Sequence, residues 1–173
     1  MLMNSRKNSQ MPRVIVNSTP LIVLSNIGQL DLLKKLYNEI FIPQAVFEEV
    51  TEKQDSACQK LKKHTDWIHV CSIKNTSEKR MYQAKLHDGE VEVMILAQEE
   101  PKADLVILDD NAAKKTAKFL GLTVTGTLGV ILKAKKLGFI QNVSDLLDKL
   151  LDNGFYVSPE IQNLVKAEAG ELY

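Results

Sequence analysis

The sequence predicts an α/β protein of three layers, α/β/α, in which helices cover both faces of a central parallel sheet of about five strands. Short β-rich runs alternate along the chain with segments of helical periodicity, which is typical of βαβ units. Two of the runs, RVIV at Arg13–Val16 and LVIL at Leu105–Leu108, are continuously apolar. Such runs are expected of strands that are buried on both faces.

Strands and helices are predicted in alternation from runs of β-formers and from apolar residues that recur every three or four positions. The strands are expected at Arg13–Val16, Ile40–Ile42, Trp67–Ile73, Leu105–Leu108 and Leu122–Thr125. The helices are expected at Leu21–Ile27, Leu30–Tyr37, Gln44–Glu52, Ala57–His64, Lys79–Leu86, Glu90–Glu99, Ala112–Leu120, Leu128–Leu137, Val143–Asn153 and Ile161–Ala169.

Proline and glycine mark several of these boundaries. Pro43 is expected to open the third helix at its first position, where a missing N–H is harmless. Gly121 and Gly138 follow the last apolar residue of their helices and indicate C-terminal stops. Ser158 and Pro159 form an N-cap and first-turn pattern for the last helix.

The chain is expected to hold a disordered N-terminal extension (residues 1–12), a globular domain (residues 13–140) and a C-terminal helical extension (residues 141–173). The helix at Val143–Asn153 has an apolar stripe of Val143, Leu146, Leu147, Leu150 and Leu151. This stripe either covers the domain's own core or forms an interface. The sequence shows neither a signal peptide nor an apolar run long enough for a membrane helix, so a cytoplasmic protein is expected.

The composition limits the classes of function. With 22 basic and 22 acidic residues the formal net charge is zero, so strong binding to nucleic acid through phosphate contacts alone is not expected. The lysines clustered within 60–63 and 133–136 are typical of solvated helix faces. Cys58 and Cys71 lack CxxC or zinc spacing, which indicates free thiols in a reducing compartment.

Small polar and acidic residues follow the predicted strands, at the edge of a parallel sheet where ligands commonly bind. Further acids stand near the buried faces of two helices. Oxygen ligands without nearby His or Cys suit Mg²⁺ or Mn²⁺. The residues concerned are Asn17, Ser18 and Thr19 after the first strand, Asp109 and Asp110 after the fourth, Thr125 and Thr127 after the fifth, and Glu49, Glu90 and Glu92 on helices.

Four segments, VIVNSTPLIVL, IFIPQAVFEEV, HDGEVEVMILA and LVILDDNAA, make the chain similar to a PIN-like family of small prokaryotic proteins. Members of that family carry (V/I)(D/N)xxPLI, IPxxVxxE, GExE and a DD pair after a strand. The resemblance runs from about Val14 to Gly138 and makes residues 13–140 a PIN-like domain. It implies an endoribonuclease that depends on Mg²⁺ or Mn²⁺, often the toxin of a toxin–antitoxin pair. RNA, an antitoxin protein and a second copy in a homodimer are the expected partners.

The resemblance also transfers roles to individual residues. The expected catalytic acids are Glu49, Glu92, Asp109 and Asp110, with Glu92 preferred because EVMILA matches the DxxIAA helix of PIN nucleases. Glu90 and Glu92 point about 200° apart on a regular helix, so both can be ligands only if Glu90 precedes the regular turn. The expected metal ligands are Asn17, Glu49, Glu90, Glu92, Asp109 and Asp110, and the expected substrate contacts are Ser18, Thr19, Thr125 and Thr127.

Asn17 departs from the pattern, because PIN nucleases normally have Asp at the end of the first strand. An amide oxygen can ligate a metal but supplies no charge. This departure keeps open a second interpretation, a PIN-like module that is catalytically weak or inactive and binds nucleic acid or protein. A third interpretation is a nucleotide-binding domain that uses the glycines at Gly126–Gly129.

Overall fold

The computed structural model describes residues 11–64 and 66–172. Most of the expected N-terminal extension lies outside these residues. Five strands form one sheet in the order β3-β2-β1-β4-β5, and every neighbouring pair is parallel. Ten α-helices flank the sheet within the described residues. The expectation of a three-layer α/β/α fold is confirmed.

The strands are short and consist mostly of apolar residues. In chain order they are β1 (Val14–Val16), β2 (Ile40–Pro43), β3 (Ile68–Cys71), β4 (Leu105–Ile107) and β5 (Val124–Thr125). β1 lies in the middle of the sheet and all three of its residues are fully buried. This burial explains why the strand reads as a continuous apolar run.

The helices connect these strands and extend beyond the last one. They are α1 (Ser18–Asn26), α2 (Asp31–Tyr37), α3 (Gln44–Glu52), α4 (Ser56–Lys63), α5 (Lys79–Tyr82), α6 (Asp88–Gln98), α7 (Asn111–Phe119), α8 (Thr127–Lys136), α9 (Val143–Asp152) and α10 (Pro159–Glu168). A single 3₁₀ turn, Thr76–Glu78, precedes α5. None of the helices in the described residues is long and apolar enough to cross a bilayer.

Several predicted boundaries are wrong in an informative way. α1 begins at Ser18 and not at Leu21, so Asn17 occupies the N-cap position directly after β1. Pro43 is the N-cap of α3 and the last residue of β2, and not the first helical residue. Gly121 and Gly138 do end their helices, with φ of +78° and +79°, the left-handed conformation that favours glycine.

The apolar stripe of α9 faces the inside of the chain. Val143, Leu146, Leu147 and Leu150 are buried, and both α9 and α10 pack against α8. Ser158 caps α10 by accepting a hydrogen bond from the N–H of Ile161, as the sequence predicts.

The order of the strands creates a switch point between β1 and β4. The chain runs outward from β1 through β2 to β3, and the remaining strands, β4 and β5, lie on the other side of β1. In open parallel sheets ligands bind at such a switch point, beyond the carboxyl ends of the strands. Asn17 follows β1 here, and its N–H donates to the carbonyl of Ile107 in β4 at 2.9 Å.

Candidate active site

Asn17 carries an unsatisfied buried oxygen at this switch point. The residue is only 3% exposed, and its side-chain Oδ1 accepts no hydrogen bond from any of the described residues. Burying a polar atom without a partner costs about 1–3 kcal/mol. An amide oxygen left in this state is a group that a bound donor or cation would satisfy.

Gly89 allows Glu49 and Asn17 to approach the same point. Gly89 is the second residue of α6, and a β-carbon placed on it would lie 2.8 Å from Oε2 of Glu49 and 3.6 Å from Oδ1 of Asn17. Any larger residue would therefore push the carboxylate of Glu49 away. Gly89 was not predicted as a site residue, although it is the glycine of the GExE motif beside Glu90.

Two other carboxylates act on Glu90 through their charges. Burial raises the pKa of Glu90 above its ordinary value, and the charges of Asp110 and Glu49 raise it further. The N–H of His87 opposes this effect by donating to Oε2 of Glu90 at 3.1 Å. A carboxylate in this position is held at the helix N-terminus and repelled by its acidic neighbours, so a cation bound among them would stabilise all three.

Asp110 and Asp109 are adjacent in sequence but have different roles. Asp110 is the N-cap of α7 and accepts a hydrogen bond from the N–H of Ala113 at 2.8 Å. Asp109 accepts two hydrogen bonds from Thr127, from its N–H at 2.8 Å and its hydroxyl at 2.6 Å. Asp110 is the member of the pair whose charge reaches Glu90, whereas Asp109 ties β4 to the start of α8.

Glu92 has separate partners. It is 5% exposed, its Oε2 lies 3.0 Å from Nζ of Lys79, and its Oε1 accepts a hydrogen bond from the N–H of Ala45 at 3.1 Å. Because α6 begins at Asp88, Glu90 lies within the regular helix and points about 200° away from Glu92. Through these contacts Glu92 joins α6 to the first turn of α3, and the preference for Glu92 as a site residue stays a prediction.

The four expected substrate contacts differ in exposure. Thr19 is exposed in the first turn of α1, while Ser18 beside it is buried. Thr125 is half-buried at the end of β5. Thr127 is fully buried and its hydroxyl donates to Asp109, so this residue positions a carboxylate and is not open to a substrate.

A polar cleft of about 640 Å³ opens beside Glu49 and Gly89. His87 and Asp88 line it from the first turn of α6, and Glu48 and Glu52 line it from α3. The cleft gives solvent and a ligand of moderate size a route to Glu49, which is exposed. The cleft is thus an open, acidic depression, and Asn17 is not among the residues that line it.

The donors of this site suit a hard divalent cation, although their carboxylates stand apart from one another. Within residues 11–64 and 66–172, no group of three or more His, Cys, Asp or Glu side chains is close enough to form a metal centre. The orphaned Oδ1 of Asn17 and the charges of Asp110 and Glu49 that act on Glu90 are what Mg²⁺ or Mn²⁺ would relieve. The oxygen donors present are of the kind that such an ion prefers.

Comparison with known proteins gives one result at the level of the family. A family model described as a PIN domain matches residues 13–171. No curated protein matches the chain significantly. The family match spans the sheet, the acidic site and both C-terminal helices, and the topology described above agrees with it. The chain belongs to the PIN domain family.

Proposed function

We propose that this protein is a metal-dependent endoribonuclease. The observation that carries the proposal is the buried, unpartnered Oδ1 of Asn17, which shares the space beside Gly89 with the carboxylate of Glu49. Membership of the PIN domain family supports a nuclease in general, because PIN domains generally are nucleases. RNA as the substrate and metal as the cofactor are the finer parts of the proposal.

The proposed metal ligands are Asn17, Glu49, Glu90 and Asp110, with Mg²⁺ or Mn²⁺ as the cation. When bound, the cation supplies an activated water and neutralises charge that develops on the phosphate. Asn17 offers a neutral oxygen from the base of the site, and the three carboxylates supply the negative charge that holds the ion. Asp109 and Thr127 act indirectly, by fixing the loop that presents Asp110.

Glu90 makes this proposal sensitive to pH. Its pKa is raised by burial and by neighbouring carboxylates, so it takes up a proton at a higher pH than an ordinary glutamate. The protonated carboxyl group is neutral and binds a cation poorly. Metal affinity is therefore expected to fall on acidification before ordinary glutamates titrate, since the proton and the cation compete for the same group.

The test is cleavage of mixed structured RNAs by the purified protein with Mn²⁺, with Mg²⁺ or with EDTA. We expect slow cleavage that needs metal and that falls at least tenfold in Asp110→Asn, because this change removes one of three charges that hold the ion. Asp148→Asn is the matched control, since Asp148 is exposed on α9 and should leave cleavage unchanged. Cleavage that persists in Asp110→Asn and in EDTA would end the proposal.

The second candidate function is a PIN-like module that binds RNA or protein without cleaving it. The observation in its favour is Asn17 itself, because an amide at this position lowers the negative charge available to a cation. The same assay separates the two functions. Binding of RNA that is independent of metal, with no cleavage at any metal concentration, would favour the module.

The proposal extends to a toxin that a protein antitoxin restrains. Its support is the groove between α5 and α7, where Met81 and Phe119 are among the most exposed apolar side chains of the described residues and could receive a partner. A homodimer is proposed as the assembly. Expression of the chain should then arrest growth, and expression of Asp110→Asn should not; equal growth with both chains would contradict the toxin role.

A further inference from the structure

A second groove, distinct from the cleft beside Glu49 and from the groove between α5 and α7, is lined by Asp109 of the paired aspartates. It has a volume of about 550 Å³ and runs between the carboxyl edge of β4 and β5 and the loop that joins α9 to α10. One wall is polar and carries Asp109, Asn111 and Lys114. The other wall is aromatic and carries Phe155 and Tyr156. The groove begins next to Asp110, which belongs to the proposed active site.

Tyr156 stands in this groove as an exposed ring on an anchored loop. The residue is 85% exposed, whereas its neighbours hold the loop in place. Phe155 packs against the core, Val157 is buried, and the N–H of Phe155 donates to the carbonyl of Leu150 at 3.0 Å. A large ring that is displayed on a fixed support and left uncovered by residues 11–64 and 66–172 is suited to stacking on a flat ligand.

Lys114 supplies a positive charge to the polar wall. A β-carbon on Gly126 would lie 2.8 Å from Nζ of Lys114 and 2.8 Å from Oδ1 of Asp109, so this glycine opens the space that the ammonium group occupies. Among the described residues, no carboxylate lies within 4.0 Å of that ammonium group. The carboxylate of Asp109 lies close by, since its Oδ1 and Nζ of Lys114 are both 2.8 Å from the same point, and it partly offsets this charge. Lys114 forms no ion pair with it, so the ammonium group keeps donors for an anionic group placed between the two walls.

We propose that this groove binds an unpaired nucleotide of single-stranded RNA, with its base stacked on Tyr156 and an adjacent phosphate at Lys114. The inference rests on the proposed function, because it places the nucleotide beside Asp110. The zero net charge of the chain means that phosphate contacts alone cannot supply the affinity. Stacking supplies it without a basic surface, and stacking on an aromatic side chain requires a base that is free of its duplex.

The test measures RNA binding apart from cleavage. A labelled oligoribonucleotide of about ten residues, single-stranded or annealed to its complement, is titrated with the full-length protein in EDTA and again in Ca²⁺, and fluorescence anisotropy is recorded. Tyr156→Ala should weaken binding of the single strand by roughly 5- to 150-fold, as expected for the loss of one stacked base. Tyr156→Phe keeps the ring and should bind within about twofold of the unaltered chain.

Two further variants sharpen the result. Phe139→Ala removes another exposed ring, 42% exposed and outside this groove, and should leave binding unchanged. Lys114→Gln should lower the slope of log affinity against log salt by about 0.7, the value for one phosphate contact on a single strand. Tyr156→Ala should leave that slope unchanged.

The outcomes separate this inference from the proposed function. Unaltered affinity in Tyr156→Ala overturns the inference, and so does equal binding of single strand and duplex or no binding in either EDTA or Ca²⁺. Capture of a protein segment by the groove in place of RNA overturns it as well. Cleavage that depends on metal and on Asp110, measured on the same preparations, reports on the nuclease alone. If no cleavage is seen but Tyr156-dependent binding is retained, the result supports the RNA-binding groove and contradicts the proposed nuclease.

Discussion

At the scale of single residues, the number of negatively charged ligands limits the affinity of the proposed site for a cation. Asn17 contributes an oxygen but no negative charge, and Glu49, Glu90 and Asp110 supply all the charge that the proposed cation would meet. Burial raises the pKa of Glu90, and the charges of Asp110 and Glu49 raise it further. Metal affinity is therefore expected to set the activity of this protein, and position 17 is where it can be altered with the least change in volume.

Asn17→Asp adds the missing charge with almost no change in side-chain volume. We expect it to tighten Mn²⁺ binding by roughly tenfold, since one more carboxylate ligand increases the electrostatic attraction. RNA cleavage should rise at low Mn²⁺ and converge with that of the unaltered chain at saturating metal. Isothermal titration with Mn²⁺ and cleavage rates at several metal concentrations measure the two effects.

The same substitution reports on the stability of the metal-free protein. A carboxylate at position 17, which is buried near the carboxylate of Glu49, should lower the free energy of unfolding in EDTA. Mn²⁺ should restore it, because an ion that binds only the folded state stabilises that state. Equal Mn²⁺ affinity of Asn17→Asp and the unaltered chain would show that position 17 does not face the ion.

At the scale of elements, the start of α9 is fixed by an acid from beyond the last helix. Glu171 accepts hydrogen bonds from the N–H of Val143 at 2.7 Å and from the N–H and hydroxyl of Ser144 at 2.8 and 2.7 Å. It also lies 3.1 Å from Nζ of Lys135 on α8. Burial alone would raise the pKa of Glu171, but these donors lower it to about 2.

Glu171→Gln should lower the free energy of unfolding at neutral pH by about 1–3 kcal/mol, because the charge that satisfies these donors is lost. The folded pKa lies below the unfolded value of 4.5, so the stabilisation is fully present above about pH 4.5 and is lost as the pH falls through about 2. Urea titrations of both chains across that range measure the difference. Glu168→Gln is the control, since Glu168 is exposed on α10, and a difference that did not shrink with acid would contradict this account.

The boundaries of the helices show what local sequence patterns do not predict. Apolar periodicity predicted all ten α-helices of the described residues, including α5, which buries no residue, but it placed the starts of α1 and α6 three and two residues too late. The missed residues matter because they determine where the side chains at the start of each helix point. A start of α6 at Asp88 puts Glu90 inside the regular helix and excludes Glu90 and Glu92 from sharing one ion. The helical period predicts the angle between two side chains on one helix. It does not predict that Glu92 contacts Lys79 and Ala45, because those contacts join elements that are distant in sequence.

At the scale of the whole molecule, the order of the strands makes the site. The alternation of strands and helices predicted a parallel sheet, and parallel strands bring their carboxyl ends to one edge. That rule was sufficient to place Asn17 and the paired aspartates together. It was insufficient to show that the loop after α9 returns to the same edge and forms the second groove, because that return depends on how α9 and α10 pack against α8.

Those two helices are expected to be part of the folding unit. In α9 alone Val143, Leu146, Leu147 and Leu150 are buried, and each such side chain contributes about 1.5–3 kcal/mol when buried. Their sum is comparable with the whole stability of a domain, about 5–15 kcal/mol. A chain that ends at Gln141 should therefore lose cooperative thermal unfolding, as measured by circular dichroism. A truncated chain that unfolds cooperatively and is monomeric by light scattering, while the full chain is a dimer, would show instead that residues 143–173 are a separable interface.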